Sequence, residues 1–274
     1  MKKRIKAFLV HLELILMCII VLVPVSWIVL SSFHEGRSLM SSSLIPKSMT
    51  WNNYINLFKE TDYVIWFKNT LSIALLNSFV SVLLIMITAW TVSRFQFKGR
   101  RTGLMAMLLL SMFPSFLSMT AIYTLFITFG INKSVLSLVL VYSAGAIPYN
   151  VWLVKGYLDG IPLSMDEAAY IDGSSKLTTF IKIILPLSKP IIVYCAVSQF
   201  MMPWMDYILP NLLFTGEKTR TIAVGLYTMI AGNENDNFTL FASGAVLIAV
   251  PITILYLFFQ KYLVEGISAG ANKE

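Results

Sequence analysis

Few residues of this 274-residue chain form patterns that are typical of catalytic, phosphate-binding or metal sites. Residues 266–270, Gly-Ile-Ser-Ala-Gly, match the nucleophile pattern of one hydrolase class, in which an acid and then a histidine follow the serine. Both histidines, His11 and His34, come before it, so the serine has no base. No phosphate-binding G-x-x-x-x-G-K-[ST] segment occurs. Both cysteines lie inside apolar runs, so with only His11 and His34 beside them they predict no metal site. The sequence therefore predicts no catalytic residue, no metal and no cofactor bound by this chain.

Composition indicates that lipid is the main solvent of the chain. Hydrophobic residues make up 57% and charged residues 13%, against roughly 25% charged in soluble domains. Mean hydropathy is +0.74, which excludes an ordinary cytosolic enzyme. The net charge of +7 is carried in short clusters between long uncharged runs, a pattern that favours an anionic lipid surface over nucleic acid.

Six apolar windows are candidates for membrane spans, since about 20 residues cross a bilayer core. The windows predict helices at about 12–33, 69–93, 104–129, 134–155, 189–210 and 238–260. The fifth is the weakest, because only 16 residues separate Lys189 from Asp206. We therefore expect an all-α membrane protein with six transmembrane helices in a single domain, residues 1–274.

Lysine and arginine predict the orientation. With a cytoplasmic N-terminus, 14 of these residues lie inside and seven outside, so both termini are expected in the cytoplasm. The first helix is expected to remain uncleaved, since no small-x-small site follows it. Residues 156–188 then form an inner loop, and residues 34–68 and 206–236 lie outside.

Polar residues inside the spans are candidates for a solute path. Amides, hydroxyls and aromatic faces suit a sugar, which is recognised by hydrogen bonds and by stacking. The alternative is hydrogen bonding between helices, worth about 0.6 kcal/mol for each bond. Both interpretations stay open for Asn77, Tyr142, Asn150, Tyr194, Ser198 and Gln199.

The inner loop is the most informative segment. Ser164 and Glu167 have the spacing of a capping box at a helix N-terminus, and Gly173 is placed to end that helix in a left-handed conformation. Ser174 or Ser175 can cap a second helix that runs to Pro186. A re-entry turn into the fifth span, without a partner, would explain the same pattern.

Residue identities in this loop resemble the EAA loop of binding-protein-dependent ABC importer permeases. The resemblance rests on Glu167-Ala168-Ala169, on Asp172-Gly173, and on Ile183-x-Leu185-Pro186. In that family the loop docks into a cytoplasmic ATPase. The resemblance therefore implies that the ATPase-coupling residues are Glu167, Ala168, Ala169, Asp172, Gly173, Ile183, Leu185 and Pro186.

Outside this loop the chain is similar to carbohydrate permeases of the maltose type, on the side of the smaller partner. Residues 66–70, Trp-Phe-Lys-Asn-Thr, resemble the start of their second helix. Residues 203–207, Pro-Trp-Met-Asp-Tyr, resemble the end of their fifth, with Met205 in place of the commoner asparagine. The C-terminal segment resembles a tail that reaches the ATPase, which implies that role for Gly266, Ala269, Gly270 and Lys273.

The resemblance implies a type I ABC importer permease in a prokaryotic inner or plasma membrane. It would import a carbohydrate of the maltodextrin class, driven by ATP and Mg on separate ATPase subunits. The implied partners are a second homologous permease, an ATPase dimer and an extracytoplasmic sugar-binding protein that meets segments 34–68 and 206–236. The alternatives are an ABC permease for another solute class and an ion-coupled secondary transporter. The latter more often shows inverted repeats and buried coupling carboxylates, and the sequence shows neither.

Overall fold

The computed structural model describes residues 2–36, 48–131, 134–214, 216–231 and 237–271. These are mostly helical, with turns between the helices and one isolated β-bridge between His34 and Met49. A π-helical turn, Phe180–Ile184, and a 3-10 turn, Glu217–Thr219, interrupt or connect the α-helices. The helices are α1 Lys2–Ser32, α2 Asn52–Glu60, α3 Tyr63–Arg94, α4 Arg100–Met112, α5 Ser115–Thr128, α6 Val135–Asp159, α7 Leu163–Ile171, α8 Lys176–Thr179, α9 Leu185–Leu187, α10 Lys189–Met205, α11 Ile208–Leu213, α12 Ile222–Tyr227 and α13 Phe238–Ala271. The all-α prediction is confirmed.

Four helices of the described chain, α1, α3, α6 and α13, are long and apolar enough to cross a membrane. Two bent pairs raise the number to as many as six. One is α4 with α5, and the other is residues 176–187 with α10. The count of six spans and the orientation of the termini stay predictions.

The third span is broken, where a continuous helix over 104–129 was expected. Pro114 lies between α4 and α5, and the two helices meet at an angle of 100°. Proline lacks the N–H that would continue the helix, and it pushes the preceding residue towards extended backbone. Phe113 is accordingly extended, with φ −75° and ψ 129°.

The fifth span also ends earlier than the expected residue 210. Helix α10 stops at Met205, and Asp206 adopts extended backbone. The Asp206 carboxylate accepts hydrogen bonds from the backbone N–H groups of Ile208 at 3.0 Å and Leu209 at 3.4 Å. An acidic side chain in this position caps a new helix, and α11 begins there.

The helices pack as two compact units. The first contains Met1–Val64 and Val224–Pro251, and the second contains Ile65–Ala223 and Ile252–Glu274. In the first, Asn53 donates hydrogen bonds to the carbonyl oxygens of Ser32 and His34 at 2.9 and 2.8 Å. The second contains the α7–α9 segment and every predicted path residue. The proposed single domain over residues 1–274 stays a prediction.

Two helical glycines predict opposite effects of adding a methyl group. A Cβ at Gly244 would collide with the side chain of Leu226 and lie 3.2 Å from Tyr63, whereas one at Gly103 would meet no atom within 4 Å. Overpacking costs about 1–3 kcal/mol, while relieving glycine's helix penalty gains about 0.5–1 kcal/mol. We therefore expect Gly244→Ala to lower the free energy of unfolding in detergent and Gly103→Ala to leave it equal or higher. Equal values for the two variants would contradict the packing of Gly244.

Candidate functional site

Helix α7 begins two residues earlier than the sequence pattern predicts. Pro162 is its N-cap residue, with φ −56° and ψ 134°, and no side chain caps the helix. Ser164 consequently lies inside the first turn, so the predicted capping box is wrong. The ring of Pro162 already fixes a φ that suits the start of a helix, so no capping side chain is needed. Asp166, the acidic residue of the first turn, is buried and does not cap the helix.

The end of α7 confirms the predicted glycine corner. Gly173 has φ +81°, in the left-handed region. Its N–H donates to the carbonyl oxygen of Tyr170 at 3.1 Å, and the N–H of Ser174 donates to that of Ala169 at 2.9 Å. This pair of bonds is a Schellman motif, which satisfies the last carbonyl groups of the helix and fixes the direction of the chain that follows.

The next helix begins where one of two candidate serines predicts it. The Ser175 side chain accepts a hydrogen bond from the N–H of Thr178 at 3.2 Å. Phe180 follows and is buried, stacked on Trp90 of α3 with ring centroids 4.5 Å apart. Tyr157 of α6 donates to the carbonyl oxygen of Leu187 at 3.0 Å, so the second half of the α7–α9 segment contacts both α3 and α6.

A buried ion pair that the sequence analysis missed holds α7 against the end of α3. Arg94 Nε lies 3.1 Å from Asp166 Oδ2, and each side chain is only 6% exposed. Arg94 Nη2 also donates to the carbonyl oxygen of Ile161 at 3.0 Å. Burial raises the pKa of the neighbouring Tyr170 phenol; the Asp166 carboxylate raises that pKa further, and Arg94 lowers it. Two features of the sequence are consistent with this pair: Arg94 stands at the end of a predicted span, and Asp166 stands in the first turn of a predicted helix.

The expected coupling residues are distributed over both faces of this segment. Ala169 is buried, so its side chain does not contribute to the exposed face. Ile183 and Leu185 are half-buried. Ile171, which the sequence analysis did not single out, is 86% exposed. The exposed members of the predicted set are Glu167, Ala168, Asp172, Gly173 and Pro186.

A cavity of about 770 Å³ lies among α5, α6, α10 and α11. Its volume falls within the range of small-molecule sites, about 300–1,000 Å³. Most of the lining is apolar, and the polar lining comprises Ser118, Tyr142, Tyr149, Asn150, Gln199 and Asp206. Within it, the Tyr142 hydroxyl donates to Asp206 Oδ2 at 2.7 Å. No lysine, arginine or histidine is among the lining residues.

Three of the six predicted path residues, Tyr142, Asn150 and Gln199, line this cavity together. Asn77 is fully buried elsewhere and donates from Nδ2 to the Gln199 carbonyl oxygen at 2.7 Å, a bond between α3 and α10. Tyr194 and Ser198 are not among the lining residues. Asp206 was missed as a cavity residue because its position at a span end indicated an interface.

Residues 81–269 match the family of binding-protein-dependent transport system inner membrane components. The chain belongs to this family. It is 38% identical to the galactooligosaccharides transport system permease protein GanQ of Bacillus subtilis (strain 168), over 99% of this chain and 97% of GanQ. It is also 38% identical to the maltodextrin transport system permease protein MdxG of Bacillus subtilis (strain 168), over 96% of this chain and 95% of MdxG.

A solved structure supports the fold. The chain superimposes with a TM-score of 0.83 and 20% identity on a bacterial ABC transporter involved in the import of the acidic polysaccharide alginate, covering 94% of this chain and 96% of that one. The fold is therefore that of an ABC importer permease. The relatives are named as transport permeases, so this permease is a non-catalytic inner membrane component.

In this permease, the residues that resemble the start of the second helix anchor the segment before α12. Trp66 Nε1 donates to the carbonyl oxygen of Glu217 at 3.2 Å. Asn69 Nδ2 donates to those of Lys218 and Arg220, at 2.9 and 3.0 Å. These side chains thus bind backbone carbonyl groups in and directly after the 3-10 turn, which explains the donor residue types at these positions.

The C-terminal residues of the permease with an implied tail role lie at the end of α13. Gly266, Ala269 and Gly270 fall within this helix, which the structure describes to Ala271. Lys273 lies outside the described residues. Their contact with an ATPase stays a prediction.

Proposed function

We propose that this permease imports a neutral oligosaccharide, driven by ATP hydrolysis on a separate ATPase dimer that docks on the α7–α9 segment. Two relatives that match nearly the whole chain carry the names of galactooligosaccharide and maltodextrin systems. Maltodextrin is one member of the substrate class that these names support.

The observation that carries the neutral-sugar proposal is the lining of the 770 Å³ cavity. The Asp206 carboxylate and the amides of Asn150 and Gln199 can accept hydrogen bonds from sugar hydroxyls. Tyr149 is exposed and offers an aromatic face for the apolar side of a sugar ring. A carboxylate without a nearby cation disfavours an anionic sugar, because like charges repel across a site of low dielectric constant.

Coupling to the ATPase would pass through the exposed face of α7. Ile171 presents an apolar side chain beside Glu167, as expected of a surface that a partner covers. The buried Arg94–Asp166 pair and the Phe180–Trp90 stack fasten this segment to α3. Movement of the segment would therefore move a membrane-spanning helix. ATP can drive opening only if its closed dimer binds the outward-facing state more tightly than the inward-facing state.

The remaining partners follow from the family. A second homologous permease would complete the translocation path, and an extracytoplasmic sugar-binding protein would deliver sugar to the outer segments 34–68 and 206–236. ATP and Mg would bind to the ATPase subunits, and alternating access would move the sugar inward.

The direct test is uptake by the complex reconstituted in vesicles with the binding protein. Labelled maltodextrin and galactooligosaccharide are supplied outside, with ATP or a non-hydrolysable analogue on the ATPase side. We expect saturable uptake of a neutral oligosaccharide with ATP alone. Uptake driven by an ion gradient without ATP would contradict the proposal, and uptake of an amino acid or peptide in its place would reassign the solute class.

Asp206→Asn tests the cavity while preserving the helix cap, since an asparagine oxygen also accepts the N–H groups of Ile208 and Leu209. We expect uptake at low sugar concentration to fall about tenfold, because a hydrogen bond to a charged group is worth about 1.5–3 kcal/mol. Tyr142→Phe leaves the carboxylate charged, and its uptake should fall by no more than about threefold. If Asp206→Asn, present in the membrane at the wild-type level, took up sugar at the wild-type rate, Asp206 would not contact the sugar.

A further inference from the structure

A basic recess lies where α3 turns into α4. It has a volume of about 440 Å³, and its polar lining comprises Arg100, Arg101 and Thr102 of α4, Lys155 of α6 and Gln96 of the intervening turn. Lys155 is paired with Asp159. Neither guanidinium forms an ion pair or side-chain hydrogen bond in the described part of the chain. The recess therefore offers two unneutralised cations to a ligand.

An apolar groove of about 290 Å³ continues from this recess along α3 and α4. Its lining is mostly apolar and includes Ile87, Val92 and Met107; its polar residues are Thr88, Thr91 and Arg100. The recess and the groove share four lining residues, so they form one continuous site; these are Phe97, Gly99, Arg100 and Leu104.

The groove is open because one of its residues is glycine. A Cβ built on Gly103 would meet no atom within 4 Å. Gly103 is a helical residue of α4 without the positive φ that would require glycine, so a larger side chain can enter the groove with no backbone strain. The space lies between the mostly apolar faces of α3 and α4, and such a space suits an acyl chain.

We propose that this recess and groove bind one anionic phospholipid, with its phosphate between Arg100 and Arg101 and an acyl chain in the groove. Basic pockets between transmembrane helices on the cytoplasmic side bind anionic headgroups, and the charge bias places this turn on that side. The alternative ligand of the same chemistry, free phosphate, would fill the recess but leave the apolar groove empty. The continuity of the two parts favours the lipid.

The test measures lipid retained by the purified full-length permease in detergent, using native mass spectrometry. The added probes are phosphatidylglycerol, phosphatidylcholine of the same acyl chains, and inorganic phosphate. We expect phosphatidylglycerol to be retained and to raise the thermal transition, with phosphatidylcholine at least about fivefold weaker. Equal retention of the two lipids would overturn the proposal, and displacement of phosphatidylglycerol by millimolar phosphate would assign the recess to free phosphate.

Variants separate the two halves of the site. Arg100→Gln and Arg101→Gln should each weaken retention about fivefold, from the loss of one phosphate contact. Lys98→Gln removes the same charge from the same turn, but Lys98 lines neither the recess nor the groove, so its retention should equal wild type. An equal loss in Lys98→Gln would reduce the site to general surface charge and overturn the proposal.

Gly103→Leu fills the groove without changing any charge, and it should abolish retention of phosphatidylglycerol. Its thermal transition without added lipid should equal that of Gly103→Ala, which shows that the variant is folded. Full retention by a folded Gly103→Leu would overturn the proposed acyl position.

Discussion

Gly173→Val is expected to reduce sugar uptake at least about tenfold while the permease stays in the membrane. At φ +81° a non-glycine residue is strained by about 1–3 kcal/mol, and a β-branched side chain is the least tolerant. Relief of the strain would break the bond from the Ser174 N–H to the Ala169 carbonyl oxygen and turn the following helix. The measurement is initial uptake rate, normalised to permease level, in the reconstituted complex.

The matched control is Gly173→Asn, because asparagine visits the left-handed region at small cost. No atom lies within 4 Å of an added Cβ, so space does not distinguish the two variants, and only the backbone conformation does. We expect the asparagine variant to keep most of the uptake. Equal uptake by the two variants would mean that the glycine corner does not transmit coupling.

The second large effect is expected at the buried ion pair of Arg94 and Asp166. Removing one partner leaves an uncompensated buried charge, which costs about 3–5 kcal/mol, whereas replacing both by apolar residues of similar volume is often close to neutral. Asp166→Leu or Arg94→Met alone should therefore release α7 and speed tryptic cleavage after Lys176 and Lys182, which are already exposed, because the loosened backbone fits the protease more readily. The double variant should restore protection, as measured by the rate of limited proteolysis.

The ion pair of Lys155 and Asp159, which lies nearer the surface, is the control for the Arg94 and Asp166 variants. The Asp159 side chain is 44% exposed, and such pairs contribute less than about 1 kcal/mol. Asp159→Asn should therefore change the proteolysis rate little. Equal protease sensitivity of Asp166→Leu and Asp159→Asn would show that the Arg94–Asp166 pair does not hold the segment.

Residues whose effect is local were predicted from the sequence. Gly173 predicts the end of α7, because few residues other than glycine adopt the left-handed backbone conformation. Ser175 predicts the start of the next helix, because its hydroxyl reaches an N–H group three residues away. The break at Pro114 follows from the same kind of local rule, and the apolar length of the window led instead to the expectation of one helix. Ser164 was wrong as a cap because Pro162 starts the helix without it.

Contacts between residues distant in sequence could not be predicted from one chain. Arg94 and Asp166 belong to different helices, and nothing in their spacing indicates that they meet. Tyr142 was predicted as a path residue from its type and place in a span, whereas its carboxylate partner Asp206 appears only once α6 and α10 are packed. Periodicity gives the helices, but packing decides which polar groups share a cavity.

Docking of the ATPase on the α7–α9 segment is tested most directly by a crosslink between the exposed Ile171 position and the ATPase. Ile171→Cys would be introduced after Cys18 and Cys195 are replaced by alanine, and its thiol labelled with a short maleimide that carries a photoactivatable group, which forms its second bond to any neighbouring residue of the ATPase on illumination. We expect a permease–ATPase product with Ile171→Cys that disappears when Gly173→Val is added, while a cysteine at exposed Phe79 in α3 gives none. Absence of the product in an assembled complex that imports sugar, or its persistence in the Gly173→Val variant at full yield, would contradict docking through the α7–α9 segment.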